Sequence, residues 1–96
     1  MIEATLKKNI RAYLDREGIY WVNIQAGYGV APGAPDMLCV VNGRFLALEG
    51  KTYRNTQRDQ QKKHEARIEA NGGICAVVRS MEDVVANVEY LRGLPP

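Results

Sequence analysis

An aspartate at position 36, a glutamate at 49 and a lysine at 51 stand on either side of the dipeptide Asn42-Gly43, and their spacing bears directly on chemistry. Asn-Gly favours a two-residue type I′ turn, whose two central residues both need a positive φ. With that turn in place Val41 pairs with Arg44, and the same register sets Asp36 opposite Glu49. Side chains directly opposite in an antiparallel pair have Cβ atoms roughly 4.5–5.5 Å apart, and period two returns Lys51 to the face of Glu49 one step farther out. Two like charges so close repel, more so beside a core, and a divalent cation offsets that repulsion. Hard cations such as Mg2+ take oxygen ligands and sit on one or two carboxylates while keeping several waters. A protonated Lys51 cannot ligate the cation, but it can hold the attacking water or the phosphate. The chemistry that suits this set is hydrolysis of a phosphodiester. Taken singly, the residues also fit an Asp36–Lys51 salt bridge with Glu49 at a strand end; the joint pattern inside a hairpin is the more specific observation.

The elements that must position these residues are legible around them. Ile2, Leu6, Ile10, Tyr13 and Leu14 recur at helical spacing between Met1 and Glu17, and Gly18 is a suitable stop. Residues 19–26 alternate apolar Tyr20, Val22 and Ile24 with Trp21, Asn23 and Gln25, which predicts a half-buried strand. The segment 27–35 carries three glycines and two prolines and must be a loop. Its glycines lack the GxGxxG spacing and no helix follows, which excludes a nucleotide cradle. Met37–Val41 and Phe45–Leu48 form the hairpin strands, apolar on successive positions, so both faces of two central strands are expected to be covered. A polar helix over 56–71 presents Gln57, Gln61, His64 and Ile68 on one face and ends at Gly72-Gly73; a buried strand over 74–78 follows. Ser80 and Asp83 resemble a capping box opening a last helix, whose core stripe is Val84, Val85, Val88 and Leu91. The order αβββαβα is that of an α/β fold with a mixed sheet flanked by helices.

Ninety-six residues, 46% hydrophobic and 25% charged, describe one globular domain over 1–96. The longest apolar runs are far shorter than the ~20 residues a membrane-spanning helix needs, and the first residues lack the layout of a signal peptide; no membrane partner and a cytoplasmic location are expected. Cys39 and Cys75 lie inside apolar runs and read as buried reduced thiols. His64, on a polar helix face, is given no catalytic role. A net charge of +2 is too small to mark the whole chain as a nucleic-acid binder. The charges are nonetheless clustered: Lys51, Arg54, Arg58, Lys62, Lys63 and Arg67 form a locally basic stretch leading away from the acidic pair. Arg54, Arg58 and Lys62, with Gln60, are the candidate nucleic-acid contacts. A solvated helix with ion pairs one turn apart accounts for the same charges equally well.

The pattern Gly33-Ala34-Pro35-Asp36 followed by Leu48-Glu49-Gly50-Lys51 resembles the PD-(D/E)xK nuclease superfamily, whose αβββαβ core carries acidic residues that bind Mg2+ or Mn2+. Within it the chain is most similar, over nearly its whole length, to the virus-type replication-repair nuclease (VRR-Nuc) domains found in phages and bacteria; the Gly72-Gly73-Ile74 to Ser80 segment resembles that family's close. The resemblance implies catalytic roles for Asp36, Glu49 and Lys51, and a metal site that adds Glu3, from the first helix, to Asp36 and Glu49. As a solvated first-turn acid, Glu3 equally favours the helix dipole. The resemblance also implies the Gly50 carbonyl as a metal ligand and a helix glutamine near the site, for which Gln60 and Gln61 compete; Gln61 is favoured because it shares a face with His64 and Ile68. Two features depart from the pattern: residues 22–35 contain no Lys or Arg, and the middle of the second motif is Gly50, which offers only backbone.

The function expected is a Mg2+- or Mn2+-dependent endonuclease on branched DNA such as a four-way (Holliday) junction, leaving 5′-phosphates. It is expected to act as a homodimer without a nucleotide cofactor, in a bacterial or phage-infected cell. The alternatives are a monomeric nuclease of flaps, nicks or ends, and a non-catalytic nucleic-acid-binding module on the same fold.

Overall fold

Seven elements follow one another as α1 (Ala4–Arg16), β1 (Tyr20–Asn23), β2 (Met37–Val41), β3 (Arg44–Glu49), α2 (Asn55–Ala70), β4 (Ile74–Val77) and α3 (Met81–Arg92). The computed structural model describes residues 1–24, 33–50 and 55–96, with the side chains of α2 described from residue 59 onward. The strands form one sheet in the order β1-β2-β3-β4, antiparallel from β1 to β3 and parallel between β3 and β4. This is the mixed α/β sheet flanked by helices that the sequence predicts.

The turn between β2 and β3 forms as its residue types dictate. Asn42 has φ 52° and Gly43 φ 75°, the left-handed region that Asn and Gly tolerate best. Val41 pairs with Arg44 and Met37 with Leu48, so the register is the one the turn sets. Asn42 also ties the hairpin to α3, its Nδ2 donating to the carbonyls of Leu91 at 2.9 Å and Leu94 at 2.8 Å.

One face of the sheet carries the core. Met37, Cys39, Val41, Leu46, Leu48, Ala76 and Val78 pack there with Ile10 and Leu14 of α1 and Val84, Val88 and Leu91 of α3. Fully burying each Leu or Ile side chain contributes roughly 1.5–3 kcal/mol. Ser80 caps α3, its Oγ accepting from the amide of Asp83, while Asp83 Oδ2 accepts from the amide of Arg79 at 2.7 Å. The cysteines are free, Cys39 buried on the core face and Cys75 half-buried on the opposite one.

Three expectations are corrected. α1 begins at Ala4, so Ile2, which the helical spacing places on its apolar stripe, instead enters the core from the segment ahead of the helix, 4% exposed. The inward face of β1 is the opposite of the one expected. Tyr20 is 70% exposed, whereas Ile19 is buried and Trp21 packs against the core, its Nε1 donating to Asp15 Oδ1 at 2.7 Å. Tyr20 and Val22 pair with Val40 and Leu38, whose side chains leave the core face of β2. The second face is also only partly covered. Ala47 and Glu49 are buried there, but Val40 and Phe45, near the turn, are exposed. α2 lies against β4, its Ile68 against Gly73.

The Asn42 tie yields a prediction. Asn42→Ala removes two hydrogen bonds and strains a left-handed position, which lowers stability by about 1–3 kcal/mol. At about 4–8 °C per kcal/mol for a domain of this size, the loss is read as a fall in melting temperature. Asn42→Gly, which keeps the turn geometry, falls less.

Candidate active site

The hairpin register brings Asp36 and Glu49 to the same level of the sheet. Asp36 lies one residue before β2, and its backbone extends the ladder on both sides: its amide donates to the Leu48 carbonyl at 3.0 Å and its carbonyl accepts from Ile24 at 2.9 Å. Glu49 ends β3, between β2 and β4, and its carbonyl accepts from the Val78 amide at 2.7 Å. The Asp36 backbone is held from two sides and that of Glu49 by Val78, so both carboxylates project from fixed points.

The two side chains sit in different surroundings. Asp36 Oδ2 accepts from the Gly50 amide at 2.7 Å and from the Ile2 amide at 3.2 Å. Two backbone N–H donors fix the orientation of that carboxylate. Glu49 is only 1% exposed, and among the described residues neither of its oxygens has a hydrogen-bond partner. Burial raises its pKa to about 8. The facing Glu65 carboxyl and then the charge of Asp36 push in the same direction, while the amino group of Met1 opposes them. A buried carboxylate without partners costs several kcal/mol when charged. Orphaned oxygens on a buried acid, with a second acid alongside, are what a hard divalent cation satisfies, so the donor set fits Mg2+ or Mn2+.

Close backbone packing holds this corner. A Cβ on Gly50 would collide with the backbone of Met1 and Ile2, and one on Gly33 would meet the backbone of Gln60 and Gln61 at 2.5–2.6 Å. Gly33 also has φ +85°, a value costly for any side-chain-bearing residue. Gly33, ahead of Pro35-Asp36, is thereby set against α2, and Gly50 against the start of the chain.

The remaining sequence-predicted residues fall as follows. Glu3 does not converge with Asp36 and Glu49: it caps α1, Oε2 accepting from the Thr5 amide at 2.6 Å and Oε1 from the Leu6 amide at 3.1 Å. These two hydrogen bonds lower its pKa. Its other reading, an acid favoured by the helix start, is the one the geometry follows. Among the described residues, no three His, Cys, Asp or Glu side chains gather at metal-ligand spacing. The amide of Gly50 is committed to Asp36. Gln60 and Gln61 are both half-buried beside Gly33 and Lys62 is exposed. Lys51 and Arg54 lie outside the described residues, as does the side chain of Arg58.

Sequence reasoning missed Glu65. It follows Gln61 by one helical turn, so the face assigned to Gln61 includes it. The signal is present in that spacing.

No protein-family model matches the chain, and no curated relative matches it. Among solved structures the chain is similar to Hjc, a Holliday junction resolvase from the archaeal hyperthermophile Archaeoglobus fulgidus. The TM-score is 0.53 and the sequence identity 18%, over 78% of this chain and 65% of that one. At that identity the likeness is one of fold, and the chain spans less than two thirds of the resolvase's length. The element order and mixed sheet agree with the αβββαβ arrangement expected from the sequence.

The burial of Glu49 yields a pH prediction. Its folded pKa of about 8 lies above the ordinary 4.5, so the folded state holds a proton the unfolded state releases between those values. Stability therefore falls as pH rises from 4.5 to 8. Without added metal, Glu49→Gln melts several degrees above the wild type at pH 8.5, and the difference closes near pH 4.5. Equal melting temperatures at pH 8.5 contradict the burial of an unpartnered charge.

Proposed function

We propose that this chain is a metal-dependent, structure-specific DNA endonuclease that cuts branched DNA such as four-way junctions as a homodimer. One observation carries the reading: Glu49, buried with neither oxygen partnered among the described residues, stands level with Asp36 at the end of the two central strands. The Pro35-Asp36 and Glu49-Gly50-Lys51 motifs, their resemblance to VRR-Nuc domains, and the fold shared with a Holliday junction resolvase support it.

Asp36 and Glu49 hold the cation. When bound, Mg2+ or Mn2+ supplies a Lewis acid that lowers the pKa of water and stabilises charge on the phosphate. Asp36, its Oδ2 fixed by two amides, keeps Oδ1 for this task; no described residue donates to that oxygen. Glu49 contributes a carboxylate in a water-poor position, where each electrostatic interaction is stronger than in solvent. Lys51, two residues beyond Glu49, supplies the ammonium that holds the attacking water or a phosphate oxygen. The released ends are a 5′-phosphate and a 3′-hydroxyl. Lys62, exposed on α2, together with Arg54, Arg58 and Gln60, tracks the DNA backbone, which makes binding salt-dependent. Tyr20, Val40 and Phe45, paired across three strands and exposed on one sheet face, give a second copy an apolar surface to cover. A twofold dimer then sets two sites on a near-symmetric junction.

Cleavage of labelled four-way junction, flap and linear duplex DNA tests the reading. With Mg2+ or Mn2+ the wild type cuts the junction, and Asp36→Asn and Lys51→Ala each lose roughly 10²–10⁴-fold in rate. Gel filtration reads two chains per particle. Cutting confined to flaps or ends by a single chain keeps the site and replaces the substrate. Tight DNA binding with no cutting under either metal overturns the enzyme and leaves a binding module.

A further inference from the structure

We propose that two copies of this chain join through the free edge of β1, antiparallel about a twofold axis at Val22, so that one continuous sheet carries both acidic pairs on the same face. The inference rests on the homodimer reading above and names its surface. The edge itself is the first observation. β1 ends the sheet, with β2 as its one neighbour among the described residues; Tyr20, Val22 and Asn23 are exposed and Trp21 is half-buried. Folded chains guard such an edge with charge, proline or a bulge. Here residues 18–35 hold no charged side chain, and Tyr20–Asn23 contains no proline.

The direction of the backbone groups is the second observation. In an antiparallel ladder the N–H and C=O of one residue point to one side and those of the next residue to the other. Ile24 donates to Asp36 on the β2 side, so Val22 and Tyr20 turn the same way, and Trp21 and Asn23 turn both groups outward. Within Tyr20–Asn23 a single register uses both of these residues from both copies. With Val22 on the axis, Trp21 of each copy exchanges two hydrogen bonds with Asn23 of the partner subunit. An axis at Trp21 would instead draw on Ile19, which lies outside β1 and gives its amide to Leu14. A strand that complements itself in this way calls for a second copy.

The side chains agree with that register. On the face shared with the acids, Val22 meets Val22 of the partner subunit, and the exposed row Phe45, Val40, Tyr20 is continued by Ile24 of the partner subunit. On the core side, Asn23 of the partner subunit arrives beside Trp21. There Asp15, Gly18, Ile19, Tyr20 and Trp21 line a hollow, and Asp15 Oδ1 accepts from the indole. The axis runs perpendicular to the sheet, so both Asp36–Glu49 pairs lie on one side, roughly 20–25 Å apart by strand spacing and rise.

Oxidative cross-linking and light scattering of the full chain test the pairing. In a Cys75→Ser background, Val22→Cys is expected to form a disulfide-linked dimer, because a pair without mutual hydrogen bonds holds its Cα atoms about 4.5 Å apart. Tyr20→Cys, whose two copies stand about 14 Å apart in this register, does not link. Asn23→Pro deletes an outward amide, leaves the β2 ladder intact and weakens association about 10–100-fold, with the circular dichroism spectrum unchanged. Tyr90→Lys, exposed on α3, leaves two chains per particle. A two-chain particle in which Val22→Cys stays unlinked, or a folded Asn23→Pro that associates like the wild type, overturns the pairing and leaves the homodimer reading standing. A wild type that runs as a single chain overturns both.

Discussion

The arrangement turns on one carboxylate that the fold buries and that no described residue partners. Glu49 sits in β3, an interior strand, flanked by β2 and β4, and is 1% exposed. A charge there costs several kcal/mol, comparable with what two fully buried leucines return at roughly 1.5–3 kcal/mol each. The opposite face of the sheet supplies that return, through the core that joins β2, β3, α1 and α3. A scaffold able to carry such a cost on one face because the other is densely apolar is how a small domain keeps a reactive group in place.

The rest of the molecule holds the surroundings of Glu49 fixed. Asp36 cannot swing toward solvent, because amides from two distant parts of the chain, Gly50 and Ile2, grip one of its oxygens. Ile2 is itself anchored in the core, so packing around α1 is transmitted to the orientation of an acid in the site. Gly50 and Gly33 each let a backbone approach where no side chain fits. Gly33 and Gly50 thus let the chain pack closely on either side of the two acids.

Much of this was legible in the sequence because it is local. The Asn42-Gly43 turn has few alternatives, and once it forms, period two dictates that Asp36 and Glu49 share a level. The capping residues of α3 and the order of the elements are equally local signals. Where the reading departed from the structure, tertiary contacts decided. Residues 20–24 alternate in a way that suits either face, and the sheet face on which α1 and α3 pack settled it against Tyr20 and Val22. Glu3 had two plausible uses, and proximity to its own helix start prevailed over distant acids. The surroundings of Glu65 are not legible in its polar helix because they come from the packing of α2 against β4.

The most direct test is a carbon-13 NMR titration of the Glu49 side-chain carboxyl in the metal-free protein and in the presence of Mg2+, a diamagnetic ion that leaves the signal visible. The account predicts a midpoint near pH 8 without metal, displaced to below the ordinary glutamate range when Mg2+ is added, because a bound cation favours the charged form. A Glu49 carboxyl that titrates near 4.5 with and without Mg2+ would contradict both the burial of this acid and the cation proposed to bind it.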